Sequence, residues 1–437
     1  MNDVLLPPDS TSRPTKIRFV VLVLLCSLAF VLYIDRVCIS QAAVPIKEEL
    51  GLSDTQMSFV FMAFTLAYGL FEVPTGHWGD RVGSRAVLTR ISIWWSAFTA
   101  LTAACNQFWT LLVVRFLFGA GEAGALPNMA RVVARWFSTA ERGRIQGLIQ
   151  TSMLLGGAAA PAVAAWLIAL LGWRGAFLVF GSLGIVWAAV FWLYFRDEPA
   201  HHWAINAAEL AHIGSTGPIG VTAHTAIPWR AVVVNPSVWL LSAIMIFASF
   251  NSYFYFSWFP SYLQKGRGLS NAEAGLLASL VLGGGAIGSL SGGLLIDRVA
   301  QLGRDPIVAR RWLCGGAFAL AAGFLVLALT WESATGLAVG CALSCLCAMS
   351  TQAGWWSSVI EISGRHLGAL FGLMNGLGVF GAMGSQFFFG AFADWRKALG
   401  YAGREQYDPA FVAYVVALLL AALCWACYRS FKVESNP

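Results

Sequence analysis

The sequence predicts an all-α membrane protein, with twelve transmembrane helices in two pseudo-symmetric six-helix bundles. Three observations predict it. First, the 437 residues are 58% hydrophobic and only 11% charged, with a mean hydropathy of +0.68, whereas soluble domains are about 25% charged. Second, apolar runs of about 20 residues, the length that crosses a bilayer, recur along the whole chain. Third, segments of the first half return in the second at a fixed offset. A transmembrane barrel would need alternating segments of about 10 residues, a pattern this sequence does not show.

The spans are read at 17–41, 55–78, 86–106, 108–131, 143–170, 174–195, 237–263, 271–296, 310–330, 334–360, 367–392 and 410–430. Residues 1–16 lack a cleavable signal pattern and are expected to form a cytoplasmic tail. Residues 17–195 then make the first bundle, 196–235 a cytoplasmic linker, 236–431 the second bundle, and 432–437 a second tail. The linker is the longest polar stretch and contains "RDEPAHHW" and "GSTGPIG". Orientation follows from the excess of Lys and Arg in cytoplasmic loops. With the N-terminus inside, the tails and inner loops hold 19 Lys and Arg and the outer loops 7. Both termini are therefore expected in the cytoplasm, in a bacterial inner membrane.

The repeat is specific. "GHWGDR" from Gly76 to Arg81 returns as "GLLIDR" from Gly293 to Arg298, and "LSDTQ" at 52 as "LSNAE" at 269, both offset by 217. Gly143 and Gly147 pair with Gly368 and Gly372 at offset 225, which also pairs Gln150 with Asn375. Parallel six-helix repeats around a central cavity are the plan of a transporter that works by rocking one half against the other. A single chain holds a complete cavity, so a monomer is expected.

Ionisable residues inside spans are costly and mark functional sites by default. Here they are Asp35 and Arg36 in span one, Glu72 near the end of span two, and Arg115 and Glu122 in span four. Arg115 and Glu122 are two helical turns apart and share a face, while Asp35 and Arg36 diverge by about 100°. This geometry suggests that Asp35 neutralises Arg115. Arg36, whose planar fork suits a carboxylate, is then left to face the cavity. Asp35 and Glu122 become the proton-coupling candidates, with Arg115 as their partner. Tyr33 can share a patch with Arg36, and Tyr68 with Glu72, by helical spacing. Glu72 is otherwise a gate residue near the inner surface, and Glu361 an inner-end charge beside Arg365. In the second half, offset 217 places Ser252 and Tyr253 opposite Asp35 and Arg36. That half offers hydrogen bonds and stacking rather than charge.

The loop after span two reads Gly76-His77-Trp78-Gly79-Asp80-Arg81-Val82-Gly83-Ser84-Arg85. It resembles the major facilitator superfamily signature G-x-x-x-D-R-x-G-x-R/K, with a degenerate copy at Asp297-Arg298. The gating motif by this resemblance is Gly76, Asp80, Arg81, Gly83, Arg85, Asp297 and Arg298. Its acid and arginines are expected to pair across the interface between halves and bias one gate state. "YIDR" in span one, "RFLFGAGEAGALPNMARVVARWFSTAERGRIQG" in span four, "YFSWFPSYLQKGRGLS" near span seven and "MNGLG" in span eleven resemble the anion:cation symporter family. That family includes bacterial galactonate, glucarate and hexuronate transporters and animal vesicular glutamate and sialic-acid carriers. The resemblance implies uptake of an organic anion with protons, Asp35 and Glu122 as protonation sites, and Arg36 as the carboxylate receptor. It also brings in Trp355 and Asn375 as substrate contacts, with Gln150 added by pseudo-symmetry. Met153 and Glu72 depart from the galactonate-type pattern, which carries Gln at both places, so mechanism transfers more readily than substrate identity.

The expected function is thus proton-coupled symport of an organic anion, such as a hexuronate or aldonate. The substrate-binding candidates are Arg36, Tyr33, Tyr68, Tyr253, Trp355, Asn375 and Gln150. The alternatives are a proton-coupled efflux antiporter for amphiphilic compounds, whose cationic substrates two arginines would repel, and a transporter-like sensor. An enzyme is not expected: none of the six histidines lies mid-span beside an acid or cysteine, and there is no phosphate loop. The nine cysteines read as small core residues. No cofactor or metal is expected, the proton gradient supplying the energy. The net charge of +6 reflects topology, with no nucleic-acid partner.

Overall fold

The computed structural model describes residues 13–214, 229–301, 305–363 and 366–431. The side chains of Val73, of residues 76–81, and of Asp297, Ala300, Gln301, Pro306 and Gly368 lie outside that description. The described chain is helical throughout, without strands. Among the described residues, twelve helical segments are long enough to span. They are α1 Ile17–Leu50, α2 Asp54–Val82, α3 Ser84–Thr102 and α4 Phe108–Trp136, then α5 and α6, which are the two arms of Thr139–Tyr194. These arms, 139–171 and 173–194, part at Gly172, whose φ of 69° ends the helical path. After the linker come α7 Pro236–Ser257, α8 Asn271–Gln301, α9 Pro306–Thr330, α10 Ala334–Ser363, α11 Leu367–Ala398 and α12 Gly403–Cys427.

Several helices outrun the predicted spans. α1 continues through Pro45 to Leu50, and α2 to Val82. The predicted spans keep to about a bilayer's thickness, but a packed helix continues past it. The internal repeat has a local cause. Ser53 and Gln56 bond reciprocally at the start of α2, the Gln56 amide to Ser53 Oγ at 3.1 Å and the Ser53 amide to Gln56 Oε1 at 2.9 Å. Ser270 and Glu273 do the same at the start of α8. Each is a capping box, which satisfies backbone donors that a helix N-terminus leaves open.

Glycine sets the closest helix contacts. On α8, Gly284, Gly288 and Gly292 lie four apart, against the carbonyl oxygens of Ala342, Leu346 and Ser350, also four apart on α10. A Cβ at any of the three would run into backbone. Without a hydrophobic drive between helices in lipid, such small-residue stripes are what lets them pack.

At the end carrying the termini, the linker helix Ala207–Ile213 docks under α1. The buried Glu209 carboxylate accepts from the backbone amides of Ile17 (2.9 Å) and Arg18 (3.1 Å), from the Arg18 guanidinium and from Thr15. Burial alone would push the Glu209 carboxyl up; these hydrogen bonds outweigh it and hold it below the ordinary carboxylate range. Glu361 pairs with Arg310 and accepts from Ser430 Oγ at 2.8 Å, while its expected neighbour Arg365 is outside the described residues. Cys424 and Cys427 form a C-x-x-C spacing that a core reading of the cysteines passes over; both thiols are free.

Gly288→Ala should lower the thermal unfolding midpoint in detergent, by overpacking worth about 1–3 kcal/mol. Gly283→Ala, whose added Cβ meets nothing within 4 Å, should leave the midpoint unchanged. Equal midpoints for the two variants would contradict the assigned α8–α10 contact.

Candidate functional site: a central cavity beside a buried charge cluster

Between the halves lies a cavity of about 260 Å³. Tyr33, Arg36 and Gln150 line it from the first half, and Tyr253, Trp355 and Asn375 from the second. The structure thus brings six of the seven substrate-binding candidates together. Tyr68 lies behind Arg36, with the guanidinium 4.6 Å from its ring centroid. Trp355 contributes its ring, because its indole N–H already donates to Leu241 O at 2.9 Å.

Arg36 is tightly held. Its Nε donates to Glu122 Oε1 at 2.9 Å, and Nη2 reaches the same oxygen. The rings of Tyr33 (5.0 Å), Phe64 (5.2 Å) and Tyr68 surround the guanidinium, an arrangement that stabilises a cation. One side of Arg36 is therefore fixed to protein while the residue still borders the cavity. Glu122 is 1% exposed, and its Oε2 has no hydrogen-bond partner among the described residues. α4 breaks just after it, at Gly124 with φ of 88°. α10, the corresponding helix of the second half, stays helical but tightens by one turn at Thr351, which also lines the cavity. Discontinuous helices at mid-membrane mark binding sites in transporters.

The expected Asp35–Arg115 ion pair is not formed. Asp35 is 1% exposed and makes no ion pair with Arg115, whose Nε and Nη1 have no hydrogen-bond partner among the described residues. Asp35 sits with Trp95, Arg115 and Glu122 around it, and Arg115 packs its guanidinium 4.3 Å from the Phe118 ring. The physical reason is helix rotation. Spacing along α4 puts Arg115 and Glu122 on one face, but it does not say which of them meets α1. Glu72 lies beside Tyr68 and within electrostatic reach of Arg36, on the charge-cluster side rather than alone at a gate.

Of the gating motif, Gly76, Asp80, Arg81 and Asp297 have side-chain positions outside the described set, and Arg298 is exposed. Gly83 makes the turn between α2 and α3 with φ of 91°, where a Cβ would meet the Asp197 carboxylate. Arg85 was expected to pair across the halves. Instead it stays in its own half: its amide bonds Asp197 at 3.0 Å and its guanidinium stacks 4.2 Å from the Trp192 ring. The turn geometry at Gly83 aims it there.

Sequence reasoning missed Ser249, Thr351, Gln352 and Gln386, all at the cavity, and named Ser252 only as the counterpart of Asp35. Their signal was available as hydroxyls and amides inside apolar spans, with Ser249 and Ser252 one turn apart on α7.

The two halves are joined at the end away from the termini. Asp394 of α11 accepts from the Asp54 and Thr55 amides that open α2, at 3.1 and 2.7 Å. Lys265 pairs with Glu48, and Gln41 and Asn271 bond reciprocally.

Comparison with known proteins agrees with this architecture. The family model of the Major Facilitator Superfamily matches residues 25–386. The chain is 34% identical to a probable sulfoacetate transporter of Cupriavidus necator, over 84% of this chain and 85% of the relative. It is 30% identical to a probable L-galactonate transporter of Escherichia coli, over 85% and 83%. Among solved structures, a bacterial homolog of the human lysosomal transporter Spinster superposes with a TM-score of 0.80 at 21% identity, covering 95% of this chain and 97% of that one. That likeness shows the fold.

Replacing Arg36 alone by Met should leave the buried Glu122 without its partner and destabilise the protein by about 3–5 kcal/mol. The double variant Arg36→Met/Glu122→Gln should recover most of that loss in thermal unfolding. A double variant as unstable as the single would show that the pair does not hold the site together.

Proposed function

The chain belongs to the Major Facilitator Superfamily, a family of transporters, and from that premise we propose that it takes up a small organic anion together with protons. The observation that carries this reading is the Arg36–Glu122 pair at the cavity wall. Asp35, Arg36, Arg115 and Glu122 are two acids and two bases, of which Asp35, Arg115 and Glu122 are buried and Arg36 borders the cavity. A monoanion that binds Arg36 adds a negative charge to this cluster. Uncompensated charge in such a site is costly, and a proton on the carboxylate that Arg36 gives up restores the balance. Anion and proton then cross as one neutral load.

The substrate class follows from the cavity and the relatives. Arg36 supplies the receptor for a carboxylate or sulfonate, and its fork suits two oxygens. Tyr253, Asn375, Thr351 and Gln150 offer hydrogen bonds to hydroxyls, as a sugar acid requires. Relatives named for sulfoacetate, L-galactonate and galactarate or D-glucarate support a small oxyanion of this kind. In this reading the linker end lies in the cytoplasm of a bacterial inner membrane, and the joined far end faces outward.

The test is uptake into proteoliposomes under an inward proton gradient, with sulfoacetate, L-galactonate and D-glucarate as substrates. One of them should accumulate above its outside concentration, and a protonophore should abolish that accumulation. Arg36→Ala should weaken apparent affinity by about 10- to 100-fold, the worth of a lost charged hydrogen bond. Asp35→Asn should lose uphill accumulation and keep counterflow exchange. Accumulation indifferent to the protonophore would contradict proton coupling.

A further inference from the structure

We propose that Gln386 is the positioning residue that ties the central cavity to the closed far gate. This inference rests on the transporter reading, but not on which anion is carried. Gln386 is 2% exposed, borders the cavity and bonds to both halves at once. Its side-chain Oε1 accepts from Thr65 Oγ1 of α2 at 3.1 Å, and its Nε2 donates to Ser257 Oγ of α7 at 3.0 Å. Its backbone carbonyl accepts from Ser58 Oγ of α2 at 2.8 Å and from the Trp258 indole at 2.9 Å.

The residue also begins a seam. Gln386, Gly390 and Asp394 are four apart and lie on one face of α11. A Cβ at Gly390 would run into Ser58 and the Asp54 carbonyl, so the two helices touch backbone to backbone there. Asp394 then holds the Asp54 and Thr55 amides, where a carboxylate also meets the favourable end of the α2 dipole. The seam therefore runs from the cavity floor to the far surface, with an amide at its inner end and a carboxylate at its outer end.

For the far end to open, α2 must leave this face. The Thr65 and Ser58 bonds to Gln386 break, and Asp394 uncaps α2. The amide is then freed at the one seam position that borders the cavity, where polar groups of a bound molecule can take the place of Thr65. Gln386 thus acts through the gate, holding it shut until its amide finds another partner.

Hydrogen exchange read by mass spectrometry, on the full protein without substrate, tests this. In the wild type, peptides covering 51–66 and 386–398 should exchange slowly. Gln386→Leu and, separately, Thr65→Val should each speed exchange in both peptides by about fivefold, the equilibrium shift expected from one lost hydrogen bond. The double variant should add little to Gln386→Leu, because both remove the same bond. Peptides at the linker end, 139–150 and 229–240, should be unchanged. Unaltered exchange at the seam in either variant would overturn the proposal. So would a rise spread evenly over both halves with a lowered unfolding midpoint, which would mark a merely structural residue. Because no substrate is present, failure here is separable from failure of the anion reading.

Discussion

One buried ion pair organises this molecule. Arg36 from α1 and Glu122 from α4 meet at the wall of the cavity, inside a ring of Tyr33, Phe64 and Tyr68. Two charges removed from water are tolerated only when they satisfy each other. The pair therefore constrains the angle between α1 and α4, and with it the place where the cavity can form. It also makes the site responsive. Anything that takes Arg36 must leave Glu122 compensated in another way, and a proton is the smallest compensation available.

The rest of the structure divides into parts that hold and parts that give. The glycine stripe of α8 against α10 and the Glu209 cap under α1 fix elements within or beside one half. The contacts between halves are of another kind. They are hydrogen bonds and ion pairs at the far end, such as Asp394 on the start of α2 and Lys265 on Glu48. Polar contacts of this sort exchange for water or ligand at modest net cost, as an interface that opens and closes requires. The break in α4 directly follows Glu122, so the helix ends where that carboxylate meets Arg36.

Much of this was legible in the residues. Asp35, Arg36, Arg115 and Glu122 stood out because charge inside apolar runs is rare, Gln150 and Tyr253 because the two halves repeat, and Trp355 and Asn375 through the family resemblance. The placement of these residues around one cavity follows from the same twelve-helix plan. The partner of each charge was not legible. Periodicity gives the face of a helix but not its rotation against a neighbour, so the expected Asp35–Arg115 pair gave way to Arg36–Glu122. Arg85 was misplaced for a similar reason, since its direction depends on the Gly83 turn and on Asp197. Gln386 escaped notice because one amide in a phenylalanine-rich run carries little signal until its four partners are seen together.

The central claim is that an anion exchanges with Glu122 for Arg36 and that a proton fills the vacancy. The direct measurement is the proton count on binding, from isothermal titration of the purified protein in two buffers of different ionisation enthalpy. The anion would be whichever of sulfoacetate, L-galactonate or D-glucarate accumulates in proteoliposomes. The account predicts proton uptake by the wild type of about one per anionic charge bound, and one proton fewer in Glu122→Gln with binding retained. Binding without proton uptake in the wild type, or unchanged uptake in Glu122→Gln, would contradict it.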